Sequence, residues 1–197
     1  MNASFLRRLL AYFTDMAILG IIITFSLLLF SNGNAKNLET LSNEVNEVNE
    51  QLLEEEITME NYIYRYAELN YQIDKMSVID NILNTLYIIL LFVYIPFLLH
   101  GQTIGMRLSK IKIVKENGTP ATLNDYLFRS ILIYSLGYLF ITLAVVYIVP
   151  SLAYFTISSI LVILEFLLVF TSTFMILYRH DRKGLHDILT KTKLMKI

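Results

Sequence analysis

The longest apolar run of the chain is LAYFTISSILVILEFLLVFTSTFMILY, residues 152–178, and Glu165 at its centre is the only charged residue within it. A membrane-spanning helix needs about 20 mostly apolar residues. Three further runs meet that length, at residues 9–30, 78–99 and 127–149. Pro150 and Ser151 separate the run at 127–149 from the run at 152–178, which indicates a tight turn between two antiparallel helices. The sequence therefore predicts an all-α membrane protein built on a four-helix transmembrane bundle.

The composition agrees with a membrane chain and excludes several classes of site. Of 197 residues, 55% are hydrophobic, and the 16 basic and 17 acidic residues lie in blocks between the apolar runs. The chain has no Cys, which excludes a disulfide, a thiol nucleophile and a Cys-based metal site. Its three His residues form no cluster, and no nucleophile and base pair or phosphate-binding loop is evident. We therefore expect a lipid bilayer around the chain, and no cofactor, bound metal, enzymatic activity or nucleic-acid partner.

The distribution of basic residues predicts the orientation. Lys and Arg number two before the first run, three in the loop 31–77, five in 100–129 and six in 178–197. The positive-inside rule then places both termini in the cytoplasm and the loop 31–77, with its ten acidic residues, outside the cell. We predict a multi-pass protein of the cell (inner) membrane.

Six segments follow from this orientation. In chain order they are the amino terminus with the first helix, an outer acidic hairpin, the second helix, a basic cytoplasmic loop, the third and fourth helices, and a cytoplasmic tail. Their predicted bounds are 1–30, 31–77, 78–99, 100–126, 127–178 and 179–197.

The first run also has features of a cleaved signal peptide. Arg7 and Arg8 precede it, and small residues follow near Gly33. The run is longer than a usual signal core and contains Asp15, which a retained helix with a partner accommodates better. We predict that the segment is retained as a transmembrane helix.

The outer loop has the residue spacing of two helices. Apolar or aromatic residues recur over residues 38–76 at intervals of three and four, interrupted near Glu55. A single helix would be about 58 Å long at 1.5 Å per residue, yet both ends must return to one membrane face. The chain must turn back, most simply at residues 54–58, where Thr58 can cap a second helix. The resulting helical hairpin either docks a protein partner or a second copy of the chain, or packs on itself with a solvated acidic face.

Two carboxylates are predicted to lie within membrane-spanning helices. Asp15 is seven residues after Arg8, which puts both on one face of the first helix. Glu165 is thirteen residues from either end of the fourth run. Because an ionised carboxylate in the bilayer is costly without a partner, each is a candidate functional group. In the structural alternative, Asp15 only holds Arg8, Arg129 or a neighbouring helix, and a neutral Glu165 hydrogen-bonds to Ser135, Thr142 or a Tyr.

The cytoplasmic segments contain strand-forming sequence. Residues 110–115 alternate Lys with Ile before Val114, and residues 192–197 have a similar character. We predict that these two segments pair as a small β-ribbon that brings Ile113 close to Leu194.

Three motifs resemble those of a known family. RLLAYFTD at residues 8–15 resembles the opening helix of the RDD family, in which an Arg begins the first span and an Asp lies within it. GQTIGMRL at 101–108, followed by IKIV at 111–114 and NGTP at 117–120, resembles the family's cytoplasmic loop. RKGLHD at 182–187 resembles its closing motif.

The resemblance implies that Arg8, Asp15 and Asp187 are the Arg and the two Asp for which the family is named. The enlarged outer loop and Glu165 lie outside the motifs that carry it. The predicted ribbon would bring Asp187 to the cytoplasmic end of the first helix. We therefore predict that Arg8, Asp15, Arg129 and Asp187 form one polar cluster.

Two functions are compatible with these features. The RDD family is suspected of transport, and some members are associated with cation/proton exchange. The resemblance thus favours transport. We predict that a cation moves in exchange for protons past Asp15, with Arg8 and Arg129 tuning the pKa of the carboxylates, and by way of Glu165, whose part rests on its position within the fourth run and not on the resemblance. No broken helix or internal repeat is apparent, which argues against a transporter within one chain and favours a homodimer. The alternative is a non-transporting membrane subunit or scaffold that docks an extracytoplasmic partner through residues 38–76.

Overall fold

A computed structural model describes residues 2–30 and 34–197, so the signal-cleavage motif considered near Gly33 lies outside the described residues. The described chain is mostly helical. Its α-helices are α1 (Phe5–Phe30), α2 (Ala35–Leu53), α3 (Met59–Met76), α4 (Val78–Ile89), α5 (Ile95–Leu98), α6 (Ile104–Leu108), α7 (Leu123–Ile133), α8 (Leu136–Val145), α9 (Ser151–Tyr178) and α10 (Leu185–Leu189). A π-helical turn, Leu90–Tyr94, joins α4 to α5, and two strands, β1 (Ile111–Lys115) and β2 (Thr192–Lys196), form a small sheet.

Three segments of the described chain are long and apolar enough to cross a membrane. They are Phe5–Leu29, Val78–Leu98 and Ser151–Tyr178. The pair α7 and α8 passes the same test only when the two helices are counted together, and they are bent by 77° relative to each other. The predicted membrane protein with a small β-ribbon is confirmed at this level, with three spans, or four if the bent pair is one span.

The third apolar run differs from the prediction because it is not one continuous helix. A capping box starts α7, in which the Thr122 backbone N–H donates to the Asp125 carboxylate at 2.7 Å. Ser135 then has a φ of 57°, in the left-handed region that a right-handed helix of L-residues does not use. The chain changes direction there and α8 begins at the next residue. The expectation of no broken helix is therefore wrong.

The π-helical turn of the second span lies next to Pro96. Proline has no backbone N–H, so the carbonyl of Phe92, four residues earlier, loses its usual helical partner. The hydroxyl of Ser130 in α7 donates to that carbonyl at 3.4 Å. The irregular segment of the second span is therefore in direct contact with α7.

The helices of the outer loop, α2 and α3, pack against each other. The Tyr62 hydroxyl donates to Asn49 at 3.0 Å, and Thr58 caps α3 by accepting from the Asn61 N–H at 3.3 Å. At the base of α3, the Tyr154 hydroxyl of α9 donates to Asp74 at 2.8 Å. We call α2 and α3 the α2–α3 pair.

The two strands bring both ends of the chain together. β1 and β2 are antiparallel and Ile113 pairs with Leu194, so the predicted closeness of these two residues is confirmed. The backbone N–H of Ala3 donates to the Leu194 carbonyl at 2.9 Å, and Asn2 forms a β-bridge with Met195. The side of the molecule that contains residues 2–4, α6, α10 and the two strands is called the terminal side below.

Candidate functional site

The side chain of Asp187, on the terminal side, is completely buried between two arginines. Arg8 donates to one of its carboxylate oxygens at 2.7 Å, and Arg129 donates to the other at 2.5 Å. Arg8 and Arg129 are themselves 8% and 4% exposed. Arg129 also donates to the Thr192 hydroxyl at 2.6 Å. We call Arg8, Arg129 and Asp187 the charged clamp, since together they connect α1, α7, α10 and β2.

The start of α10 positions the carboxylate of the charged clamp. The Gly184 N–H donates to Asp187 at 3.1 Å, which closes a capping turn. A side chain at Gly184 would be too close to its surroundings, because an added Cβ would lie 2.6 Å from the Ser172 hydroxyl oxygen on α9. The glycine therefore lets α10 approach α9 closely enough for Asp187 to reach both arginines.

The electrostatics of the clamp keep Asp187 ionised. Burial by itself would raise the pKa of its carboxyl group, but the guanidinium charges of Arg129 and Arg8 outweigh burial and hold that pKa well below its usual range. The pKa of the neighbouring His186 is also lowered, to about 3, by burial aided by the same arginines, but for a histidine this shift favours the neutral ring. His186 is thus neutral at pH 7, and two guanidinium groups face one carboxylate.

Asp15 is hydrogen-bonded to α6 rather than to an arginine. Thr103 donates its hydroxyl to one carboxylate oxygen at 2.5 Å, and the Gly105 backbone N–H donates to the other at 2.7 Å. An added Cβ at Gly105 would lie 2.2 Å from the Ala11 carbonyl oxygen, so the glycine is what permits α6 to contact α1. Four residues are predicted to form one cluster, and three of them form the charged clamp. The fourth, Asp15, lies on α1 with Arg8 but bonds to α6 instead.

Glu165 lies away from the clamp, at the break between α7 and α8. The Ser135 hydroxyl donates to its carboxylate, one of the hydrogen bonds that the sequence suggests. Ser135 is the residue with the left-handed backbone, so the intramembrane carboxylate of α9 faces the point where the third apolar run changes direction.

A cavity of about 220 Å³ lies between α1, α7 and α9 near the terminal side. Arg8 and Asp15, two helical turns apart on α1, both line it, together with Arg129. Most of the remaining wall is apolar. The cavity therefore connects the charged clamp to Asp15, although the described contacts include no direct hydrogen bond between the two.

Comparison with known proteins agrees with the arrangement of these motifs. Residues 2–191 match the RDD family. The chain belongs to the RDD family. Comparisons with curated proteins and with solved structures returned no significant match. Within this RDD-family chain, the residues that the resemblance assigns to the Arg and the two Asp all lie near the terminal side. Arg8 bonds to Asp187, and Asp15 follows Arg8 on α1.

Some contacts of the RDD-family chain are not evident from its sequence. Thr103 caps α6, but nothing in the residue spacing identifies its hydroxyl as a partner of Asp15. The sequence likewise does not predict the hydrogen bond between the Ser172 hydroxyl and the His186 ring at 2.8 Å. A Thr followed by Ile-Gly at a helix start is a weak signal for a close helix contact. Among the described residues, no group of three or more His, Asp and Glu side chains is arranged to hold a metal ion.

Proposed function

We propose that the protein exchanges a cation for protons across the cell membrane, with Asp15 and Glu165 as the groups that bind and release protons. The observation that carries the proposal is the break in the third apolar run opposite Glu165. In secondary transporters, helices interrupted within the membrane supply backbone groups that coordinate ions. Here the interruption at Ser135 lies beside the carboxylate of Glu165.

The chemistry at the break suits a hard cation such as Na⁺. Helix α7 ends at Ile133, two residues before Ser135, and the last carbonyl groups of a helix lack intrahelical partners. Of these carbonyls in α7, that of Ser130 accepts from the Tyr134 N–H, which leaves those of the following residues. These carbonyls, the Ser135 hydroxyl and the Glu165 carboxylate are all oxygen ligands. Protonation of Glu165 would remove the negative charge, so a proton and a cation would compete for the same group.

Two tyrosines support a connection between the carboxylates. The rings of Tyr12 and Tyr134 are nearly parallel, with centroids 6.1 Å apart. Both tyrosines line the cavity that Asp15 also lines, and Tyr134 directly precedes Ser135, whose hydroxyl donates to Glu165. Because a phenol both donates and accepts hydrogen bonds, the stacked pair offers polar groups along an otherwise apolar route.

The orientation and assembly complete the proposal. Thirteen of the 16 Lys and Arg residues lie outside the loop 31–77, so the positive-inside rule puts the terminal side in the cytoplasm. Three or four spans in one chain are few for a transport pathway, which favours a homodimer. The proposal contains no chemical step on a substrate, so we expect no enzymatic activity.

The test is an assay of the purified full chain in liposomes. A cation gradient should produce a pH change inside wild-type vesicles, and Asp15→Asn and Glu165→Gln should each reduce its rate about tenfold or more, because each removes a group that carries the proton. Asp80→Asn is the matched control, since Asp80 lies in the first turn of α4, away from the break. Rates in the Asp15 and Glu165 variants equal to wild type would refute their role, and a wild type that is inactive with every monovalent cation would refute transport.

A second candidate function is docking by the α2–α3 pair in a non-transporting subunit. The turn between its helices exposes Leu53, which is 83% exposed, and Met59. Exposed apolar side chains at the tip of an acidic surface suit a contact with an extracytoplasmic protein or a second copy of the chain. This function would be supported if the wild type shows no transport but copurifies with a partner that the Leu53→Glu variant loses. Transport by the Leu53→Glu variant would argue against it.

A further inference from the structure

The guanidinium group of Arg8 is only partly used by the charged clamp. Its Nη1 atom donates to Asp187, but Nε and Nη2 are buried and have no hydrogen-bond partner among the described residues. Arg8 is only 8% exposed and is therefore more than nine-tenths buried. Buried donors on a charged group are costly when unpaired, and an Arg carries five N–H donors and no acceptor. The two free positions therefore call for an acceptor that the described chain does not supply.

The same arginine lines the 220 Å³ cavity between α1, α7 and α9. Within the described chain, α1 packs on α4 and α6, whereas α9 packs on α3, α7, α8 and α10, so α1 and α9 leave a cleft between them. The cavity wall beyond the arginine is apolar and includes Leu132, Ile133, Val169 and Ile176. Val169 is 40% exposed at the mouth of this cleft. The cavity thus combines a charged end with an apolar side that faces the bilayer.

Charge and depth specify the class of ligand. The clamp by itself has two guanidinium groups against one carboxylate, and this net positive charge favours an oxyanion at Nε and Nη2 of Arg8, two helical turns away from the Asp15 carboxylate. The Nε and Nη2 atoms form the side of the guanidinium that binds two phosphate or carboxylate oxygens at once. Arg8 is three residues into α1, about 5 Å along the helix, which is close to the depth of lipid headgroups.

We propose that this cavity binds one anionic membrane lipid, whose phosphate oxygens accept hydrogen bonds from Nε and Nη2 of Arg8 and whose acyl chain lies along the apolar wall. The site shares its cavity with Asp15, Tyr12 and Tyr134 of the cation pathway proposed above. It differs from that pathway in its ligand, which is an anion, and in its apolar part, which opens sideways between α1 and α9. The bound lipid would complete the polar contacts at the terminal end of α1. Inorganic phosphate shares the headgroup chemistry but lacks the acyl chain.

The experiment is native mass spectrometry of the full chain released from detergent, with phosphatidylglycerol or phosphatidylcholine added. Wild type should retain one phosphatidylglycerol and no defined number of phosphatidylcholine molecules. Arg8→Gln should weaken that retention about tenfold or more, the loss expected for a charge-assisted contact. Arg7→Gln is the matched control, since the neighbouring Arg7 donates to the Ser109 carbonyl outside the cavity and should retain lipid as wild type does. Equal retention by the two variants would overturn the proposal.

A second variant separates lipid binding from loss of the clamp. Val169→Trp fills the mouth of the cavity and leaves the Arg8 and Asp187 pair in place, whereas Leu168→Trp adds the same bulk at a neighbouring exposed position that does not line the cavity. Retention should fall in the Val169 variant alone. If inorganic phosphate displaces the lipid as effectively as phosphatidylglycerol itself, or if the Val169 variant retains lipid fully, the acyl chain has no site here and the proposal is wrong.

Discussion

Replacing Asp187 by Asn removes the carboxylate that both arginines of the charged clamp share. The Asn side chain is neutral and turns N–H donors toward other donors, so Arg8 and Arg129 remain buried with no charge between them. Removing one partner of a buried ion pair costs about 3–5 kcal/mol. Arg8→Gln is a milder change, because Asp187 keeps its bonds to Arg129 and the Gly184 N–H, and we expect it to cost about 1.5–3 kcal/mol, the range for one hydrogen bond to a charged group.

The assay is thermal unfolding in one detergent, followed by size-exclusion chromatography of heated samples. For a chain of this length 1 kcal/mol corresponds to roughly 2–4 °C, so Asp187→Asn should lower the Tm by about 10 °C and Arg8→Gln by about half of that. Asp181→Asn is the matched control, since Asp181 also binds an arginine, Arg179, at 2.9 Å, but at an exposed site where ion pairs contribute little. A larger loss in Arg8→Gln than in Asp187→Asn, or equal losses in the two Asp variants, would falsify the account of the clamp.

Three further predictions test other parts of the molecule. Because the pKa of His186 falls from 6.5 in the unfolded chain to about 3 when folded, the stability from its neutral ring is complete above pH 6.5 and is lost as the pH falls toward 3. The slope of Tm against pH in this window should be smaller in His186→Gln. Gly105→Ala should lower the Tm, because its Cβ meets the α1 backbone, while Gly20→Ala, which meets nothing within 4 Å, should not; equal effects would contradict the close contact of α6 with α1. In a chain without Cys, paired Cys at Ile113 and Leu194 should form a disulfide on mild oxidation, and pairs shifted by one residue should not; failure of the in-register pair would rule out the ribbon.

The β-ribbon is a part of the fold that local residue patterns predict well. The alternation at residues 110–115 and the character of 192–197 predict that the two segments pair with Ile113 close to Leu194, and in the structure these two residues are direct partners. Alternating side chains fix which face is buried, and a slip of one residue would reverse it. A short strand pair with one apolar face thus has few alternatives, which is why sequence reasoning succeeds there.

The polar contacts were less accessible to the same reasoning. The three charged residues of the clamp are separated by as many as 179 positions, and the family resemblance rather than spacing led to Asp187. Asp15 was expected to join them, yet its carboxylate bonds to Thr103 and Gly105. Helical periodicity states which face a residue occupies, but the partner on that face depends on how closely another helix approaches, and at α6 a glycine decides this distance.

The apolar runs by themselves determined that the chain is a helical membrane protein, because backbone groups in lipid must be satisfied within a helix whenever about 20 apolar residues follow one another. The predicted orientation came from a different property of the sequence, the scarcity of Lys and Arg in the loop 31–77. Only the tertiary structure decided that the run at 127–149 turns by 77° at Ser135 and that Glu165 faces that turn. Hydropathy measures transfer from water to lipid and carries no information on backbone direction, so a bent pair and a straight helix look alike in the sequence.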